Sequence, residues 1–177
     1  MLISGIPADR VADDIIERKL YSRDLAQVPA VITRPFFRTL PDVVVRPADA
    51  EQVGSAIRQA HDHRLPITPR AAASTSYFNA VPVRGGLVLD LNDLRGMVEL
   101  DRDKQIARVL PGTTWCDLED SLRLQGFAAK SYPSSAVAAT VGGWVSTQGY
   151  GIGSLRDGAF RDQLIRLQVV LPDGDLC

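Results

Sequence analysis

Two stretches of the chain combine small residues with hydroxyls in a way that suits contact with an anion. The first is Arg70, Ala71, Ala72, Ala73, Ser74, Thr75 and Ser76, directly after the strand-like run at residues 65–69. Residues with almost no side chain let backbone N–H groups converge on an anion at the carboxyl end of a strand, where α/β sheets place ligands. An Ala-rich helix start or a plain surface loop accounts for the same composition. No Gly-Lys-Ser/Thr ending makes it a Walker loop, and no G-x-G-x-x-G opens a helix.

The second stretch, residues 132–151, is longer. Ser134, Ser135, Thr140 and Ser146 lie within thirteen positions that also hold Gly142 and Gly143. Hydroxyl donors and bare backbone can then approach a flat, phosphate-bearing ligand without steric cost. The competing reading is a close-packed helix with glycines at its contact.

Other reactive types are sparse. His61 and His63 are the two histidines, both at the end of one helical segment, where a solvated side chain near the negative pole explains them as well as a catalytic base does. Cys116 follows Trp115 at a helix start and reads as a packed thiol rather than a nucleophile. Trp144 and Tyr150 could lie against a planar ligand, although aromatics beside glycines more often pack a core. Two cysteines far apart, with no Cys/His cluster, encode no metal site and no disulfide framework.

The elements that must position these residues follow from the pattern. Val43, Val44 and Val45 form a β-branched run closed by Pro47, and Asp49 with Gln52 starts a helix in which Val53, Ala56, Ile57 and Ala60 share a face. Residues 65–69 return as a second strand, so a right-handed βαβ unit with parallel strands is expected. Gly85 and Gly86 lead into a third apolar strand at 87–91. Residues 98–100 and 106–109 flank a charged turn and predict a hairpin. Thr113 or Thr114 caps a helix that carries Trp115, Leu118 and Leu122 on one face and ends before Gly126. Before Pro41, spacing of Val11, Ile15, Ile16 and Leu20 predicts a helix over 9–20 within an irregular lead-in. The last predicted strand, 164–171, runs into the turn Pro172, Asp173, Gly174, which calls for a partner strand and implies the front part of a longer protein.

Taken in order, the Asp-Val-Val-Val-Arg run between Pro41 and Pro47, residues 67–76, 86–91, Pro111-Gly112-Thr113, Pro133-Ser134-Ser135, Thr140-Val141-Gly142-Gly143 and the 169–174 segment resemble the FAD-binding domain of the vanillyl-alcohol oxidase/p-cresol methylhydroxylase superfamily. Within it the chain is most similar to the glycolate oxidase D-subunit and D-lactate dehydrogenase branch. The resemblance covers roughly residues 41–176. It implies an α+β, PCMH-type fold with a lead-in at 1–40, a small parallel βαβ lobe at 41–97, and a second, mixed or antiparallel lobe at 98–177 that is incomplete at its carboxyl end. It also implies that Arg70 to Ser76 form the first pyrophosphate loop. Pro133, Ser134, Ser135, Thr140, Val141, Gly142 and Gly143 would form a second wall, continued by Ser146, Gly149, Tyr150 and Gly151.

Three departures from the family pattern stand out. Ala71 and Ala73 occupy positions where the family carries glycine, and a left-handed backbone there would cost an alanine roughly 1–2 kcal/mol. Neither stretch contains the His or Cys that anchors flavin covalently in some relatives, so non-covalent FAD is expected. Near the end of the second stretch, Arg156-Asp157-Gly158 replaces an Arg-Tyr-Gly, for which the sequence offers no reason.

Composition bounds the rest. With 177 residues, 45% of them hydrophobic, the chain is long enough for a substantial core. Its 20 Lys and Arg against 21 Asp and Glu give no basic field for nucleic acid or an anionic membrane. No apolar run approaches the ~18 residues of a membrane span, and no signal-peptide pattern opens the chain, so a cytoplasmic protein is expected. The resemblance implies hydride transfer from a small-molecule 2-hydroxy acid to the flavin, with the substrate cap and catalytic base beyond Cys177 and no catalytic residue within the chain. A non-catalytic FAD-binding subunit or electron-transfer module with a redox partner is the alternative.

Overall fold

The computed structural model describes residues 3–33 and 35–177. The chain divides into two compact units: one ends at Asp93 and takes in Gln168–Cys177, and the other is Leu94–Leu167.

The first unit begins with a 3-10 turn at Ala8–Arg10, strand β1 at Val11–Ala12, helix α1 at Ile15–Leu20 and the short helix α2 at Ala30–Thr33. The helix expected over residues 9–20 therefore starts later. Asp14 caps it, its carboxylate accepting the N–H groups of Ile16 and Glu17 at 3.0 Å each. Val11 is drawn instead into antiparallel pairing with Val45, and Ala12 pairs with Val44. The apolar spacing that suggested one long helix mixes a strand residue with helix residues, and Ile16 and Leu20 are more than 70% exposed.

Strand β2 at Val43–Val45 leads to helix α3 at Ala50–Asp62. Asp49 accepts the Gln52 N–H at 2.8 Å and Gln52 Oε1 accepts the Ala48 N–H at 2.9 Å, a reciprocal cap as read from the sequence. Strands β3 at Ile67–Arg70 and β4 at Leu87–Asp90 complete a sheet of order β1-β2-β4-β3. The β2 and β3 strands are parallel as expected, but β4 lies between them and pairs in parallel with both. Every residue of β2 and β4 is buried, and fully burying such a Val or Leu contributes roughly 1.5–3 kcal/mol each. Gly86 at φ +77° starts β4 against the Pro66 carbonyl, where a Cβ would collide with that oxygen.

The end of the chain belongs to this unit. Val169 and Cys177 exchange backbone hydrogen bonds at 2.8 and 2.9 Å around the Pro172-Asp173-Gly174 turn. Arg58 Nη1 of α3 donates to the Gly174 carbonyl at 2.8 Å. The strand expected over 164–171 is thus realised only as the bridge between Val170 and Leu176. Among the described residues no neighbouring strand offers a ladder to residues 164–168, so Ile165 and Leu167 stay exposed.

The second unit opens with the expected hairpin, β5 at Met97–Asp101 and β6 at Ile106–Val109, with a register shift between Met97 and Glu99. Helix α4 at Trp115–Arg123 is capped by Thr114, and α5 at Val141–Ser146 by Thr140. A short α6 at Ser154–Asp157 precedes a 3-10 turn at Phe160–Gln163. The core is Trp115, Leu118, Leu122, Ala139 and Trp144. Trp144 stacks on Phe160 at 5.3 Å and meets Trp115 edge-on at 5.0 Å. Among the described residues no helix is long and apolar enough to cross a membrane.

Candidate functional site

Residues 71–76 leave the carboxyl end of β3. None of their six N–H groups has an acceptor among the described residues. Two of the loop's acceptors are used: Thr75 O takes the Leu25 N–H at 3.0 Å and Thr75 Oγ1 the Tyr77 N–H at 3.2 Å. Ala73 has φ +49°, and Ala71 does not enter the left-handed region. One of the two alanines at glycine positions therefore carries the strain anticipated from the sequence. Consecutive uncommitted N–H groups around a left-handed residue are the elements of an anion-binding concavity.

Arg70 does not extend freely from this loop. Its Nη1 donates to the carbonyls of Tyr21 and Arg23, each at 3.0 Å, and of Ala80 at 3.4 Å. Its guanidinium carbon sits 5.0 Å from the centre of the Tyr21 ring. Burial lowers the Arg70 pKa, while nearby Asp90 opposes that shift. Asp90, 5% exposed at the end of β4, accepts the Tyr21 hydroxyl at 2.7 Å on Oδ2 and the Asn92 N–H at 3.0 Å on Oδ1. Burial, and then the bond to Asp90, raise the Tyr21 pKa. Tyr21 and Asp90 escaped the sequence reading. The available signal was Asp90 itself, a lone carboxylate closing an apolar strand, which needs a buried partner.

In the second unit the candidate residues divide by how their polar groups are used. Thr140 is 4% exposed, and its hydroxyl accepts the Gly143 N–H at 3.3 Å. The Val141 N–H donates to Thr113 O and the Gly142 N–H to Pro111 O, both at 2.8 Å. Ser146 Oγ donates to Gly142 O at 2.9 Å. These groups are satisfied within the unit. A Cβ built on Gly142 would lie 2.6 Å from the Pro111 Cβ, and one on Gly149 would enter the Trp144 indole. Both glycines therefore have a packing reason for their size. Pro133 is buried, whereas Ser134, Ser135, Gly143 and Tyr150 face solvent, with Tyr150 66% exposed.

The remaining reactive residues fall outside any such arrangement. Trp144 is a core residue, 8% exposed. His61 and His63 lie exposed at the end of α3, and Cys116 is half-buried at the start of α4. Asp157, in place of the usual aromatic, pairs with neighbouring Arg156 at 2.9 Å. Among the described residues no group of three His, Cys, Asp or Glu could hold a metal ion.

Comparison with known proteins agrees with a phosphate-bearing ligand. Residues 41–177 match the model of a family described as FAD binding domain. The chain is 30% identical over 142 residues to glycolate oxidase subunit GlcD of Bacillus subtilis, covering 80% of this chain and 30% of that protein. It is 30% identical over 137 residues to the mitochondrial D-lactate dehydrogenase [cytochrome] of Arabidopsis thaliana, covering 77% of this chain and 24% of that protein. The solved structure of p-cresol methylhydroxylase superposes with a TM-score of 0.81 at 21% identity, over 97% of this chain and 32% of that one. The chain thus spans less than a third of the length of these relatives.

Proposed function

The chain belongs to the FAD binding domain family, and on that premise we propose that residues 71–76 receive the pyrophosphate of a non-covalently held FAD in a flavin-dependent oxidoreductase. The observation that carries this reading is the set of six N–H groups at the carboxyl end of β3 that have no acceptor among the described residues. Two phosphate charges need donors, and the chain's net charge of −1 offers no diffuse positive field to replace them. The Arg70 guanidinium adds a fixed positive charge beside the loop, while its Nη1 remains engaged with carbonyls.

In the second unit, Ser134, Ser135, Gly143, Ser146 and Tyr150 are the candidates exposed to solvent. Thr140, Val141, Gly142, Ser146 and Gly149 support them by fixing α5 and its flanks. Neither stretch has a His or Cys for covalent attachment, which supports reversible binding.

When bound, FAD supplies a two-electron acceptor, and the protein's part is to bind and orient it. The reaction we propose is oxidation of a 2-hydroxy acid. It rests on relatives named for glycolate and D-lactate. A cytoplasmic setting belongs to the same proposal and rests on two free cysteines.

Acid precipitation of the full-length protein tests the cofactor directly. Yellow FAD in the supernatant is expected. Flavin retained in the pellet contradicts reversible binding, and FMN in the supernatant contradicts the pyrophosphate assignment.

A further inference from the structure

The family match begins at Pro41, so the lead-in lies outside it. Three contacts nevertheless tie that lead-in to the loop at 71–76. Leu25 N–H holds Thr75 O near the end of the loop. Arg70, at its start, is held by the carbonyls of Tyr21 and Arg23, and the same Nη1 reaches Ala80 O beyond its end. Tyr21 is fixed in turn by Asp90 at the end of the central strand, and Arg46 Nε donates to the same hydroxyl at 3.3 Å.

A loop whose N–H groups have no acceptors has few bonds of its own to define its shape, and its small side chains add little packing. Its conformation must be imposed by neighbours. Here those neighbours are the Arg70 side chain and the 21–25 segment. The arrangement is incompletely satisfied, since Arg70 Nε and Asp24 Oδ2 are buried without partners.

We infer that Tyr21 is a positioning residue for the cofactor loop: braced against Asp90, it holds Arg70 and the 21–25 segment so that residues 71–76 keep the form that receives the FAD phosphates. This rests on the assignment of that loop to the pyrophosphate.

The test is FAD titration of the full-length protein. Tyr21→Phe removes one oxygen and its bond to Asp90, and should raise the FAD dissociation constant about tenfold, the scale of one hydrogen bond to a charged group. Tyr21→Leu also removes the ring beneath Arg70 and should weaken binding further. In both apoproteins the amides of Leu87–Asp90 should remain protected from exchange, because the sheet stays formed even where global stability falls. Weakened binding accompanied by fast exchange in β4 would make Tyr21 a general stability residue and overturn the inference. If Tyr21→Leu does not fold, Tyr21→Phe decides. Ala72→Glu, at an exposed loop position, separates this inference from its premise. FAD binding at wild-type strength in Ala72→Glu would remove the phosphate assignment of the loop. Loss of FAD in Ala72→Glu with wild-type binding in both Tyr21 variants would leave that assignment standing and overturn the role of Tyr21.

Discussion

Gly142 and Pro111 approach so closely that a Cβ on the glycine would lie 2.6 Å from the proline Cβ and 2.9 Å from its carbonyl oxygen. The Gly142 N–H already donates to that oxygen at 2.8 Å. Half of the glycine pair that looked like a ligand approach is thereby accounted for by contact with the 111–113 turn. Gly142→Ala should destabilise the protein by roughly 1–3 kcal/mol, the usual cost of overpacking. Urea denaturation of the apoprotein checks this, and an unchanged midpoint would mean that the turn yields easily.

Ala73 sits in the left-handed region at φ +49°. Ala73→Gly removes a left-handed penalty of roughly 1–2 kcal/mol and adds back roughly 0.4–1 kcal/mol of unfolded-chain entropy. A net gain of about 0.5–1 kcal/mol is expected. Ala71→Gly, where no positive φ needs relief, should lose about 0.4–1 kcal/mol. Opposite signs from the two variants in the same denaturation assay confirm the loop geometry, and equal signs contradict it.

Tyr21 gives a pH signature. Its pKa is raised in the folded protein by burial and by Asp90, so the neutral phenol is favoured on folding. Such a group contributes stability fully below the unfolded value of about 10 and loses it as pH rises beyond that. The stability difference between wild type and Tyr21→Phe should therefore be constant near neutrality and shrink above about pH 10. A difference that grows with alkalinity would place the phenol in another environment.

Parts of both units were legible because their signals are local. The Val43–Val45 run, the Asp49 and Gln52 cap and the turn between β5 and β6 each depend on neighbours a few residues away. The position of β4 between β2 and β3 was not legible, since strand order is set by contacts distant in sequence. The amino-terminal helix is shorter than its apolar spacing suggests because Val11 is apolar for a different reason, its pairing with Val45. In the candidate site the limit was of another kind. Residue type shows that Thr140 can donate and accept, but not that its hydroxyl is committed to capping α5. Arg70 likewise reads as a phosphate ligand until the carbonyls of Tyr21 and Arg23 are seen around it.

In the proposed function, residues 71–76 hold the cofactor phosphates through their own backbone. Amide hydrogen exchange of the full-length protein, with and without saturating FAD, tests it most directly. Fast exchange across residues 71–76 is expected in the apoprotein, with marked slowing when FAD binds, because the N–H groups then gain acceptors. Tight FAD binding that leaves those six amides exchanging at the apoprotein rate would contradict it.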